Sequence, residues 1–115
     1  MADNIMICGV EVQAAERMML EKILNAQTEG IPASFAVDET GAVHLRYGNI
    51  YSLYVLKGNA DLIIASDVFE AVRYSDYLCM EGKIVILEKY ADADEHGKRF
   101  SRKKCYEYLN KTGSL

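Results

Sequence analysis

The stretch that decides the fold runs from residue 60 to residue 87 and reads ADLIIASDVFEAVRYSDYLCMEGKIVIL. Residues 60–65 and 83–87 are short apolar runs, which are typical of buried strands. Between them, apolar residues recur at three- and four-residue steps over residues 67–80, and this spacing predicts a helix. Strand, helix and strand together predict a βαβ unit, with two parallel strands joined by a right-handed crossover.

Two local features refine this unit. Asp67 and Glu70 have the spacing of a capping box at the start of the helix, where carboxylates are also favoured by the helix dipole. Ile64 and Ile86 fall in the two apolar runs, so we expect both to be fully buried in adjacent parallel strands. Val72, on the apolar side of the helix, is expected to pack over them.

The start of the chain predicts a second strand followed by a helix. Residues 4–8 (NIMIC) form an apolar run that stops at Gly9, and residues 12–26 then show helical periodicity. The apolar positions of this helix are Val12, Ala15, Met19, Ile23 and Ala26, with Leu20 and Leu24 beside them. A chain that starts with a strand followed by a helix is expected in a protein with a parallel sheet.

A hairpin is predicted between these two units. Residues 33–37 and 42–47 read as short strands around residues 38–41, a connection with the turn-forming residues that hairpins use. Alternation along the second strand places His44 on the solvent-facing side. Residues 50–56 fit either a strand or an ordered loop.

The end of the chain has a different composition. Residues 91–96 are polar and acidic and read as a connection, whereas residues 100–111 predict a last helix with Ser101 as its N-cap. We therefore divide the chain into an α/β domain at residues 1–90 and a polar connection with a basic C-terminal helix or tail at residues 91–115.

The composition is that of a globular protein. The chain has 115 residues, of which 50% are hydrophobic and 26% charged, and this balance excludes a disordered chain. No apolar run approaches the roughly 20 residues of a membrane-spanning helix, and the N-terminus lacks the features of a secretory signal. Three cysteines without a close pair are typical of a reducing compartment. We therefore expect a cytoplasmic protein that makes no use of a membrane.

Charge is distributed unevenly along the chain. Residues 1–97 hold seven Lys/Arg and sixteen Asp/Glu, whereas residues 98–115 hold six Lys/Arg and one Glu. A basic tail can bind nucleic acid, an anionic surface, an acidic partner or its own acidic body. Because the acidic body repels phosphates, nucleic acid is the least favoured of these partners.

Residues that would carry catalysis are few. A dinucleotide site needs Gly-x-Gly-x-x-Gly after the first strand, and here only Gly9 is in place. The side chains of Val12 and Ala14 limit close approach of a phosphate, and the Glu11 carboxylate opposes an anion. His96 lies in an acidic run, where a solvated segment is favoured over metal capture. These residues predict no catalytic group and no metal site.

Tyrosine is frequent, with eight residues in 115. Tyrosine is enriched at interface hot spots, although half-buried positions in strands and helices would explain it equally well. The candidates for an interface are Tyr51, Tyr54, Tyr74 and Tyr77.

Several segments together resemble the gamma subunit, or gamma domain, of the 2-oxoacid (pyruvate or indolepyruvate):ferredoxin oxidoreductases. Residues 58–87, with the motifs ADLIIA and EAVRY, are similar to a strand, helix and strand of that family. Residues 4–9 resemble its first strand, and residues 46–48 and 50–52 resemble a later stretch. The likeness covers most of residues 4–90 and looks most like the beta subunit of indolepyruvate oxidoreductase.

The likeness is weakest in the glycine loop. After the first strand the family has Gly-x-Gly-Gly-Gln-Gly, which Gly9 and Gln13 match, whereas Glu11, Val12 and Ala14 replace the other glycines. The resemblance therefore assigns cofactor contacts to Gly9 and Gln13, within a degenerate loop. The segment before the hairpin is also shorter than in the family.

With the βαβ unit, the resemblance implies an α/β fold: a three-layer Rossmann-like sandwich with a mostly parallel sheet, a hairpin and a C-terminal helix. In this family, thiamine diphosphate and iron–sulfur clusters are held mainly by the other subunits. This chain has no cysteines at cluster spacing and no thiamine-binding signature, so we expect it to bind no cofactor alone and not to be catalytic alone. The resemblance implies a non-catalytic accessory or assembly subunit, whose partners are other oxidoreductase subunits or a second copy.

Two other functions stay open. The first is a small-ligand or nucleotide-binding module that uses the crevice at the carboxyl ends of the strands. The second is an active subunit of a thiamine-dependent 2-oxoacid:ferredoxin oxidoreductase that tolerates the altered loop. Because the likeness stops beyond the third strand of the predicted parallel set, we also expect one face of the sheet to be left uncovered.

Overall fold

The computed structural model describes residues 3–48, 53–87, 102–111 and 113. The strands are β1 (Asp3–Cys8), β2 (Ala33–Val37), β3 (Val43–Tyr47), β4 (Ala60–Ala65) and β5 (Leu78–Ile86). The helices are α1 (Val12–Glu29), α2 (Val68–Arg73) and α3 (Arg102–Lys111), with a 3-10 turn at Ser75–Tyr77. The predicted α/β class is confirmed, and so are the hairpin and the C-terminal helix.

The five strands form one sheet in the order β2-β3-β1-β4-β5. β1, β4 and β5 are parallel, whereas β3 is antiparallel to both β1 and β2. The sheet is therefore mixed, and the prediction of a mostly parallel sheet is not confirmed. The short hairpin connection forces β2 and β3 to be antiparallel, and β3 then joins the edge of β1 within the same sheet.

Asn4 ties the central strand to both of its neighbours. Its side-chain oxygen accepts a hydrogen bond from Arg46 Nε of β3 at 2.8 Å, and its amide nitrogen donates to the carbonyl of Asn59, next to β4, at 3.1 Å. Its backbone N–H donates to an Asp61 carboxylate oxygen of β4 at 2.9 Å. Although Asn4 is a buried polar residue, these bonds satisfy it and link it to both flanking strands.

The predicted βαβ unit is confirmed as β4, α2 and β5. Asp67 caps α2 by accepting the Glu70 N–H at 2.9 Å. The helix ends at Arg73 rather than near residue 80, because the chain tightens into the 3-10 turn and β5 already begins at Leu78. Gly82 lies within β5, where an added Cβ would come within 2.9 Å of the Ala60 carbonyl oxygen. It allows close strand contact and does not terminate the helix.

Helices lie on both faces of the sheet, above two apolar clusters. On one face, Ala15 and Met19 of α1 pack with these strand residues: Ile5, Ile7, Val43, Leu45 and Ile64. On the other face, α2 and α3 pack with a second set: Met6, Cys8, Ile63, Ala65 and Ile84. Cys105 and Leu109 of α3 are buried in this second cluster, together with Val55 from the loop before β4.

The expected contact of Ile64, Ile86 and Val72 is only partly right. The strands are adjacent and parallel, but the register pairs Ile64 with Val85 and Ala65 with Ile86. Because side chains alternate, Ile64 faces α1, whereas Ile86 is only partly buried and packs with Val72 on the α2 side.

Several sequence predictions fall outside the described residues. These are the connection at residues 91–96, the N-cap role of Ser101 and the structure of residues 50–52. Residues 53–56 form a loop rather than a strand. None of the helices within the described ranges is long and apolar enough to cross a membrane.

Ile64 and Val85 are opposite each other on one face, and they give a direct test of how far α1 covers the sheet. Ile64 is 8% exposed and Val85 is 47% exposed. Ile64→Ala is expected to lower the free energy of unfolding by about 2–5 kcal/mol, because it leaves a cavity under α1. Val85→Ala should cost less than about 1 kcal/mol, as is usual at an exposed site. Urea denaturation measures both, and equal losses would show that β5 is covered on this face.

Candidate functional site

The carboxyl ends of β1 and β4 form the crevice in which a ligand of this sheet would be expected. The two strands are adjacent and parallel, and α1 leaves β1 on one face while α2 leaves β4 on the other. In open α/β sheets, ligands bind at such a switch point. Its described residues include Gly9 after β1, Ser66 after β4, and Asp67 and Glu70 at the start of α2.

Gly9 is required here by packing. Its φ of +73° is in the left-handed region, and an added Cβ would collide with Ser66 Oγ and come within 2.9 Å of Glu70 Cγ. The Ser66 N–H also donates to the Cys8 carbonyl at 3.0 Å, which draws the two strand ends together. The loop is therefore closed against β4, and Gly9 has a structural role that does not depend on a cofactor.

Acidic groups dominate the electrostatics of this crevice. Burial, followed by the Glu70 and Asp67 carboxylates, raises the pKa of the Cys8 thiol to about 12. Cys8 is therefore a neutral thiol at physiological pH and not an activated nucleophile. The same carboxylates oppose the binding of a phosphate or another anion.

Gln13, the second predicted cofactor contact, lies apart from this packing. It is exposed on α1 and lines a shallow depression with Glu16, Arg17 and Leu20. The structure gives Gly9 and Gln13 no shared cavity, and cofactor binding by this pair stays a prediction. Among the residues that the structure describes, no group of three or more His, Cys, Asp or Glu side chains is placed to hold a metal ion.

Three of the four interface tyrosines lie close together in space. Tyr54 and Tyr77 present their rings to His44, with centroids 5.2 Å and 6.5 Å away, and Tyr74 lies 6.0 Å from Tyr77. Tyr74 is buried and its hydroxyl donates to Thr40 Oγ1 at 2.7 Å, so it joins α2 to the β2–β3 turn. Tyr51 falls outside the described residues, and contact of any of these tyrosines with a partner stays a prediction.

The expectation of a solvent-facing His44 is wrong, because its side chain is among the most deeply buried. The residue is 1% exposed, and Nε2 lies 2.8 Å from Asp38 Oδ2 while Nδ1 accepts the Val55 N–H at 2.9 Å. Although burial opposes it, hydrogen bonds from His44, Thr40 and Ala42 hold the pKa of Asp38 below its usual value. Alternation alone missed this role, since residues 53–56 cover a strand face that otherwise would meet water.

The remaining candidate site is a surface on the α1 side of the sheet. α1 contacts β2 and β3, and Lys22 Nζ lies 5.9 Å from the ring centroid of Tyr47 on β3. Leu20 and Leu24 are each two residues from Lys22, which is about 200° around the helix. The buried positions of α1 are Ala15, Met19 and Ala26, and Leu20 and Leu24 lie about 120° and 160° around the helix from the centre of that face, so both are on its solvent side.

Apolar groups on β5 share this side. Alternation places Lys83, Val85 and Leu87 on it, and the described elements leave them exposed. Leu20 is 47% and Leu24 51% exposed on the solvent side of α1, apart from the strand surface. We call the surface formed by Lys83, Val85 and Leu87 the open face. Among the described residues, no element covers this part of the sheet, as the sequence led us to expect.

Comparison with known proteins adds no family assignment. No protein-family model matches the chain, and no curated protein matches it. The likeness to the oxidoreductase gamma subunit therefore depends on the segments named above and stays a proposal.

Gly9 and Gly58 separate the effect of packing from that of backbone conformation. Both have positive φ, at +73° and +84°, but an added Cβ at Gly58 meets nothing within 4 Å. Gly9→Ala is expected to cost about 1–3 kcal/mol more than Gly58→Ala, because only the first overpacks the crevice. Urea denaturation gives both values, and Ser66→Gly should recover part of the Gly9→Ala loss. Equal costs would contradict the close contact of Gly9 with Ser66.

Proposed function

We propose that this chain is a non-catalytic accessory or assembly subunit that binds a larger partner through the open face. The observation that carries this proposal is the exposed apolar surface of Val85 and Leu87 beside a helix that covers only part of the sheet. Apolar strand faces in α/β proteins are normally covered by helices. A contiguous exposed apolar surface is typical of a protein interaction site.

The width of the sheet left uncovered beside α1 matches that of one packed helix. Adjacent strands are about 4.8 Å apart, so β5 lies about 10 Å across the sheet from β1. Packed helices are about 8–10 Å apart, which leaves room for one helix beside α1. The Lys83 ammonium donates to the Gly113 carbonyl at 3.1 Å, so the apolar groups Val85 and Leu87 are what the open face offers a partner. The proposed occupant is an amphipathic helix of the partner that packs its apolar stripe on these residues.

The packed crevice supports an accessory role over a catalytic one. Gly9 is closed against Ser66, the Asp67 and Glu70 carboxylates outweigh the Arg73 guanidinium in their effect on Cys8, and Cys8 is a neutral thiol. We therefore assign the thiamine diphosphate and iron–sulfur clusters of the family to the partner subunits. The resemblance of residues 58–87 supports a place in a 2-oxoacid:ferredoxin oxidoreductase, and helices on both sheet faces support the three-layer Rossmann-like form. The thiols Cys8, Cys79 and Cys105 fit a cytoplasmic location.

A ligand screen tests the alternative of a small-ligand or nucleotide-binding module. Thiamine diphosphate, ATP and NAD at millimolar concentration are each expected to leave the melting temperature unchanged. A ligand at a hundred times its dissociation constant would add about 2.7 kcal/mol of stability, which a thermal shift detects easily. A clear shift with any of the three would favour the alternative.

Two substitutions, one on β5 and one on α1, test the docking surface. Val85 is 47% exposed on the open face, and Leu24 is 51% exposed on the solvent side of α1. After affinity purification from the native cells, Val85→Glu should reduce the amount of co-purifying partner by about thirtyfold or more, as loss of a hot-spot residue would. Leu24→Glu should retain it.

The identity of the captured protein and its response decide the result. Mass spectrometry should identify a thiamine- or cluster-binding subunit whose recovery also falls with Leu87→Glu. A partner lost equally with Leu24→Glu, or retained with Val85→Glu, would overturn the assignment of the surface. Sedimentation equilibrium of the purified chain distinguishes a second copy as the occupant.

A further inference from the structure

We propose that His44 is a proton-operated latch, which holds residues 53–56 against the sheet when it is neutral and releases them when it is protonated. The inference rests on the two hydrogen bonds of its buried ring. It is independent of the proposed partner.

In the neutral state each ring nitrogen has a defined role. The Val55 N–H donates to Nδ1 at 2.9 Å, so Nδ1 carries no proton. The proton of the neutral ring is then on Nε2, which donates to Asp38 Oδ2 at 2.8 Å. The ring thus joins the β2–β3 turn to the loop before β4, and the Val55 side chain, 2% exposed, is held in the cluster with Met6 and Ile63.

Protonation is incompatible with one of these two bonds. A second proton has to enter at Nδ1, where it would face the Val55 N–H, so two donors would meet without an acceptor. A buried amide without an acceptor is unfavourable, and the arrangement is relieved only when Val55 moves away. Histidine is the side chain whose ordinary titration lies in the range of pH 5–8.

The position of Asp38 determines which of the two hydrogen bonds of the His44 ring breaks on protonation. Its other oxygen accepts from Thr40 N at 2.8 Å, Thr40 Oγ1 at 2.6 Å and Ala42 N at 3.1 Å, so the carboxylate is fixed within the turn. A protonated His44 would form a charge-assisted bond with this carboxylate, which is stronger than the neutral one. The turn side of the ring is therefore held more tightly, and the loop side is released.

Among the described contacts, Asp38 is the charged group that touches the ring, whereas Lys57, 5.9 Å from the Tyr77 ring centroid, is paired with Asp76 at 3.4 Å. Met6 of β1 and Ala36 of β2 are opposite His44 in the sheet, and both are uncharged. Tyr54 and Tyr77 contribute ring edges or faces, and the acidic group at the ring is Asp38. The effect of a proton on His44 is therefore decided between Asp38 and the Val55 amide.

Amide hydrogen exchange of Val55 tests the latch in the intact chain. Between pH 7.5 and pH 5.0 its protection factor is expected to fall at least about fivefold, a factor that corresponds to about 1 kcal/mol. The protection of Ile63, in the centre of β4, should remain unchanged over the same range. An equal fall at Ile63 would indicate acid unfolding of the whole domain, and an unchanged Val55 would also overturn the proposal.

Matched variants identify the titrating group. In His44→Asn, the side-chain oxygen replaces Nδ1 as a non-titrating acceptor, so Val55 should stay protected at both pH values. His96→Asn, which changes the other histidine of the sequence, should retain the wild-type fall. Asp38→Asn should move the midpoint of the fall to lower pH, because the protonated ring loses its counter-ion. If His44→Asn does not fold, the wild-type comparison of Val55 with Ile63 still decides the question.

Discussion

The hydrogen bonds of Asn4 fix β1 between β3 and β4, and most of the structure depends on this placement. Residues 4–8 are buried on both faces of the sheet. Ile5 and Ile7 support α1, whereas Met6 and Cys8 support α2 and the loop that contains Val55. Because side chains alternate, a slip of one residue would exchange these two faces. It would also separate Asn4 from Arg46 and Asn59, leaving buried polar groups unpaired.

Several elements could be predicted from local sequence. The apolar runs in β1, β4 and β5 identify buried strands, and Asp67 with Glu70 locates the start of α2. The end of α2 could not be predicted in this way, since Tyr77 and Leu78 continue an apolar helical spacing. Where the helix ends, the Ser75 hydroxyl donates to the Val72 carbonyl at 2.8 Å. Leu78 then pairs with Ala60 of the neighbouring β4 strand, a contact that is not local in sequence.

Contacts between distant segments limited the prediction of the candidate site. His44 appears exposed from alternation, because its covering residue, Val55, is eleven positions away and lies in a loop. Asp38, six residues before His44, was the available local signal for a buried histidine hydrogen-bonded to a carboxylate. The sequence singled out Gly9 as a cofactor contact, whereas the position of Ser66 shows that its small size is needed for packing. Leu20 and Leu24 extend the apolar stripe of α1 beyond the width that the strands below it can cover.

The position of β5 at the edge of the sheet also has a consequence for aggregation of the protein. Within the described residues it is an edge strand, with nine residues and an exposed apolar side chain at Val85. Such edges can template the addition of further chains and so begin aggregation. Lys83 interrupts the apolar surface with a charge, as gatekeeper residues do beside aggregation-prone strands. Any surface that covers this edge would therefore also protect the chain from aggregation.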